Sequence, residues 1–131
     1  MNKYKFVREY SINASARMLY PYLSSASGLE QWFCDKVEIN EDKLFNFFWD
    51  NQSHFAEMSS HRTNKSVRFI FLDENKNHLP DASFLDFTIE TSELTQEQYL
   101  RVIDYSEEDD MEEMGELWDG LILGLREIIG G

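Results

Sequence analysis

The chain has 131 residues, 42% of them hydrophobic and 15% aromatic, and a formal net charge of −13 at pH 7. That charge repels phosphate backbones and anionic membrane surfaces, which excludes nucleic acid as a partner, while the apolar content excludes a disordered chain. The single cysteine, Cys34, excludes an internal disulfide, and no apolar run approaches the roughly 20 residues that span a bilayer, which excludes membrane insertion. The length suits one domain, residues 1–131. The opening MNKYKFVREY alternates charges where a signal peptide would be apolar, so a cytoplasmic location is expected.

Residues 3–12 alternate charged with aromatic or aliphatic side chains, the period of a half-buried strand. In NASARMLYPYLS, Asn13 or Ser15 caps a helix with Met18, Leu19, Tyr22 and Leu23 on its apolar face, and Pro21, near its first turns, does not stop it. Ser27 then caps a second short helix through Phe33, and residues 36–39 return to strand. Trp32, at the end of that helix beside a turn, is expected to have few restraining contacts. Strands follow at 43–50, 53–60, 65–73, 82–91 and 97–105, and the separators EINED, HRTN, DENKNHLPD and SELTQ carry the turn chemistry of antiparallel connections.

The segment 107–129 gives the clearest signal. Met111, Met114, Trp118, Leu121, Leu125 and Ile128 recur at steps of three and four, widened by Leu117, Ile122 and Ile129, which makes one face of a long helix apolar. Such a helix must lie across the sheet. The acidic opening EEDDMEEMGE suits the positive end of a helix dipole and lacks the spaced oxygen ligands of a calcium hand. Gly130 and Gly131 end the helix.

Strand parity sorts the remaining side chains. Phe45, Phe47 and Trp49, then Val67, Phe69 and Phe71, then Leu85, Phe87 and Ile89 form the more apolar sets and should face the helix. Phe47, Trp49, Phe69, Phe71, Phe87 and Trp118 then surround one space, which is either an apolar ligand pocket or a filled core. Asp104 shares parity with Leu100 and Val102; it either points inward, with its pKa pushed up, or lies near the strand end where water or the cap of the last helix satisfies it. Arg68 and Asp86 share the outer parity and form a cross-strand pair. Phe48, Ile70, Leu72 and Phe84 also point outward, and an apolar patch of that kind in water predicts a symmetric homodimer. His54, His61 and His78 fall on different strands or turns without ligand spacing, so no metal and no cofactor is expected, and Cys34 reads as an inert thiol.

One strand, two short helices, a six-strand meander and a long terminal helix make an α+β helix-grip arrangement. The stretches INASARMLYPYLSSASGLEQWF, LFNFFWD, KSVRFIFLD and YLRVIDYS resemble the START-like proteins of the SRPBCC superfamily. Within it they are similar to the small proteins grouped with the C-terminal domain of the heat-shock chaperone ATPase activator. Ala16 stands where many relatives have a helix-starting proline, and MGELWDG replaces the Gly-Trp pair common early in their last helix. The resemblance implies a curved sheet around the last helix, with Trp32 and Phe33 closing one end of the space between them. It also implies a non-enzymatic domain that binds a hydrophobic small molecule or lipid, with Trp32, Phe33, Phe47, Trp49, Phe69, Phe71, Phe87, Asp104, Trp118 and Leu121 as the binding residues. Its alternatives are a co-chaperone-like protein-interaction module and a cyclase or aromatase-type enzyme.

Overall fold

The computed structural model describes residues 2–130. Nine-residue strand β1 (Tyr4–Ile12) is followed by helices α1 (Ala16–Ser24) and α2 (Ala26–Leu29). Six further strands come next, β2 (Lys36–Ile39), β3 (Phe45–Trp49), β4 (Gln52–Arg62), β5 (Ser66–Phe71), β6 (Phe84–Thr91) and β7 (Gln98–Ser106), and then the last helix, α3 (Met111–Ile129). All seven strands form one antiparallel sheet in the order β1-β7-β6-β5-β4-β3-β2. The meander therefore runs without a crossover from β2 to β7, and β1 closes onto β7 from Tyr4 opposite Ser106 to Ile12 opposite Gln98. This is the helix-grip fold.

Local chemistry sets the joints. Asp50 and Asn51 both take positive φ, at 52° and 64°, as the two central residues of a tight hairpin between Trp49 and Gln52, a place that favours Asp and Asn. β4 carries a register shift between Met58 and Ser60, the kind of irregularity that bends an antiparallel sheet. Ser15 caps α1, and Pro21 sits inside it without ending it, because the helix continues to Ser24. Asp110 caps α3 by accepting from the Glu113 N–H at 3.0 Å, with Glu112 and Glu113 in the first turn, and Gly130 ends it at φ 82°. Gly131 lies outside the described residues.

The inner face of the sheet and α3 enclose the core. Phe47, Phe69, Phe87, Leu100, Val102, Trp118, Ile122 and Leu125 are buried completely or nearly so. Side chains fasten α3 to β1: Tyr10 donates to Asp119 at 2.8 Å, and the Arg126 guanidinium grips the Ser11 carbonyl at 2.7 and 3.1 Å. Arg8 joins Asp119 at 3.1 Å and lies against Gly115, where a Cβ would meet its guanidinium. The Tyr10 hydroxyl and Arg8 hold the Asp119 carboxyl below its usual range.

Several expected details are corrected. Ser25, not Ser27, caps α2, accepting from the Gly28 N–H at 3.0 Å, and the helix stops at Leu29, with a turn carrying the chain through Phe33. On α1, Met18 is exposed and Tyr20 takes the core position, because its hydroxyl reaches the Ser66 carbonyl on β5 at 2.9 Å. α3 begins at Met111, four residues later than expected, and Leu117 and Ile128 at the margins of its stripe are exposed. The outer apolar residues do not stand free in water. Phe48, Ile70, Leu72 and Phe84 are half-buried; Arg68 covers the Phe84 ring at 4.3 Å, Phe84 stacks on Tyr105, and Lys36 lies 5.9 Å from the Phe48 ring. Arg68 and Asp86 pair across β5 and β6 at 3.0 Å, as parity predicts.

Candidate functional site

The site lies where the turn after α2 meets the N-terminal half of α3. The backbone N–H groups of Trp32 and Phe33 both bond the Leu29 carbonyl, so the chain coils once more past the end of α2 and sets the two aromatic rings side by side. Phe33 stacks on Trp118 with ring centroids 5.8 Å apart and meets Trp49 edge-on at 5.1 Å. Trp32 lies 6.4 Å from Trp118 and 5.8 Å from Phe87, and its indole N–H donates to the Tyr22 carbonyl at 2.8 Å. Trp32 is thus buried and held on several sides, in contrast to the loosely restrained residue expected from its place beside a turn.

Beside these rings is a cleft of about 590 Å³, open to solvent. Trp32, Phe33, Trp49, Phe71, Asp104, Trp118 and Leu121 line it, together with Gln31, Cys34, Asp35, Asp50, Leu85 and Leu117. Phe47, Phe69 and Phe87 do not reach it; they are fully enclosed in the core behind it. Parity gives the face on which a strand residue lies but not its depth. Asp35 and Asp50 reach the rim through long-range pairing: β2 and β3 bring them together, and the Asp50 N–H donates to Asp35 at 3.1 Å. Only the charge and turn position of these two residues marked them in the sequence.

Asp104 points inward. On β7 it stands opposite Phe6 on one side and Leu85 on the other, and it accepts the Trp118 indole N–H on Oδ2 at 2.9 Å. Burial pushes its carboxyl above the usual range, and the Trp118 hydrogen bond opposes that shift. Cys34 is half-buried, and burial pushes its thiol up to about 11, which keeps it protonated and unreactive at neutral pH. Among the described residues, no group of three or more His, Cys, Asp or Glu side chains is placed to hold a metal ion. His54 packs on Trp49 at 5.0 Å, and His78 meets Glu57 at 3.4 Å.

Trp49 and Phe71 also wall a second depression, of about 480 Å³, that runs toward Lys3, His54 and Leu79. A larger one, about 650 Å³, lies between residues 11–15 and 95–98, but polar loop side chains line most of it and none of the core aromatics reaches it. The aromatic cleft is the one that Trp32, Phe33 and Trp118 line, and its indole and phenyl walls suit a small-molecule site. No described helix is long and apolar enough to cross a membrane.

A search of curated protein sequences found no match. Among solved structures, the chain is similar to a Bacteroides fragilis protein determined by solution NMR, at 31% identity over 98% of this chain and 92% of that one, with a TM-score of 0.62. It is similar to the Aha1 dimer of Colwellia psychrerythraea at 17% identity, over 96% of both chains, with a TM-score of 0.74. It is also similar to a Nitrosomonas europaea crystal structure at 11% identity, over 96% of this chain and 94% of that one, with a TM-score of 0.75. At the two lower identities the likeness shows the fold. The profile of the START-like superfamily domain matches residues 1–131, and with the helix-grip fold this places the chain in the START-like superfamily.

Proposed function

We propose that the protein is a non-enzymatic cytoplasmic domain that binds a hydrophobic small molecule in the cleft between the Trp32–Phe33 turn, the sheet and α3. The observation that carries this reading is the cleft itself, about 590 Å³ with indole and phenyl walls, within the size range of small-molecule sites. Catalysis by a cyclase or aromatase would call for several polar groups converging on a substrate. Here the inward carboxylate of Asp104 is engaged by an indole, and the Cys34 thiol is held protonated. A protein-interaction module is the second reading, favoured by the half-buried aromatic residues on the outer face of the sheet, with a homodimer through that face as its form; the Colwellia relative is itself a dimer.

Nile red, an uncharged apolar dye that brightens when it leaves water, tests the cleft. Its fluorescence should rise with the wild-type protein. Leu121→Trp, which fills the cleft from α3, should abolish the rise without lowering the urea midpoint. No enhancement with the wild type, or undiminished enhancement with a folded Leu121→Trp, overturns the reading.

A further inference from the structure

The polar part of the cleft has a single sign. Its ionisable lining is Asp35, Asp50, Asp104 and the protonated Cys34, with no lysine, arginine or histidine. Asp35 is partly engaged at the rim by the Asp50 N–H. Asp104 differs from both, because it lies among the inner side chains of β1, β6 and α3. Trp118 occupies its Oδ2, and among the described residues Oδ1 receives no hydrogen bond.

We propose that the ligand of this cleft is an apolar molecule carrying an ammonium group, with the cation against Asp104 Oδ1 and the apolar body between Trp32, Trp118 and Leu121. The inference deepens the reading of the cleft as a hydrophobic-ligand site and rests on it. Three arguments support it. Burial raises the Asp104 carboxyl, so its ionised form is uncomfortable in the unliganded protein, and a cation is the partner that relieves it. A carboxylate-headed ligand would add a further negative charge to a cleft that already holds three carboxyl groups, in a chain of net charge −13. Trp32 and Trp49 line the same cleft, and an indole ring attracts a cation where an anion gains nothing. A fatty acid, the ordinary soluble form of a lipid chain, is therefore the wrong ligand here.

Three probes with one apolar body separate the possibilities: naphthylethylamine, naphthylethanol and naphthylacetate, titrated against nitrogen-labelled protein while the indole N–H signals are followed by NMR. The amine should bind at least about tenfold tighter than the alcohol, equivalent to about 1.4 kcal/mol, with the acid weakest. The Trp118 indole signal should move most, since its acceptor is the group that meets the cation. Asp104→Asn keeps an acceptor for Trp118 and removes the charge; it should bring the amine down to the affinity of the alcohol. If alcohol and amine bind equally, if the acid binds as tightly as the amine, or if the amine preference survives Asp104→Asn, the inference falls and the hydrophobic cleft stands. If none of the three binds while Nile red does, the inference alone falls; if Nile red also fails, both fall.

Discussion

Replacing Trp118 by alanine tests whether α3 holds the domain together. Trp118 is 1% exposed and lies within 6.4 Å of the rings of Trp32, Phe33 and Phe87, measured between centroids. A tryptophan side chain buries roughly 200 Å², and at about 25 cal/mol per Å² its removal forfeits about 5 kcal/mol. The unfolded chain hides some of that surface, so this is an upper bound. Large-to-small changes of this kind cost about 3 to 5 kcal/mol, and the same range is expected here. Loss of the indole N–H also leaves Asp104 Oδ2 without its hydrogen bond, a further cost of about 1 kcal/mol. Trp118→Phe separates the two effects: it keeps an aromatic ring, removes the N–H and should cost less than half as much. Urea unfolding followed by far-UV circular dichroism gives both values, provided the m-values agree. A loss under about 1 kcal/mol for Trp118→Ala, the size expected of an ordinary surface change, would refute the assignment of the apolar face of α3.

Gly28→Ala should destabilise far more than Gly115→Ala in the same assay. A Cβ at Gly28 collides with the Pro21 carbonyl and the Tyr22 backbone, which cannot move without separating α1 from α2, whereas at Gly115 it meets only the end of the Arg8 side chain; equal losses would show that the two short helices yield. Asp104→Asn should gain stability relative to the wild type as pH rises. The carboxyl is raised in the folded state, so between its unfolded value of about 4 and its higher folded value the native protein holds a proton that the unfolded chain has released, and wild-type stability falls with rising pH in that window. Urea midpoints from acid to neutral pH check this, and a difference that is constant or of opposite slope contradicts it. The proposed homodimer predicts that the wild type sediments as a dimer and Phe48→Glu as a monomer; a wild type that is monomeric at high concentration removes the dimer, and a dimer indifferent to the glutamate moves the interface off the outer face.

The sheet was legible because β3, β5 and β6 alternate so cleanly: Phe45 and Phe47, Val67 and Phe69, Leu85 and Phe87 are all buried on the predicted face. Helix ends were less so. Ser25 and Ser27 are equally good caps by residue type, and the choice is settled by the close contact of Gly28 with α1, a tertiary fact. The stripe on α3 was wider than the surface it covers, so Leu117 and Ile128 carry the right period and still face water. For Trp32 and Phe33 the resemblance offered closure of one end of the space and burial energetics a simple plug of the core, and the structure packs both rings against Trp118. The restraint on Trp32 was not legible, because it comes from the Tyr22 carbonyl and the rings of Phe87 and Trp118, distant in sequence. Asp104 was one of two open alternatives until the register of β7 between β1 and β6 placed it inside.

The pairing of β1 with β7 has a consequence for synthesis. β1 leaves the ribosome before the other strands, yet its strand partner lies about ninety residues later, and the hairpins β3–β4 and β4–β5 close long before it. Until β7 and α3 emerge, Phe6, Tyr10 and Ile12 therefore have neither sheet partner nor α3 to cover them, although all three are buried in the finished domain. A strand with an apolar inner side and an open edge that must wait for β7 is a segment a chaperone has reason to hold, and one exposed to pairing with a neighbouring nascent chain.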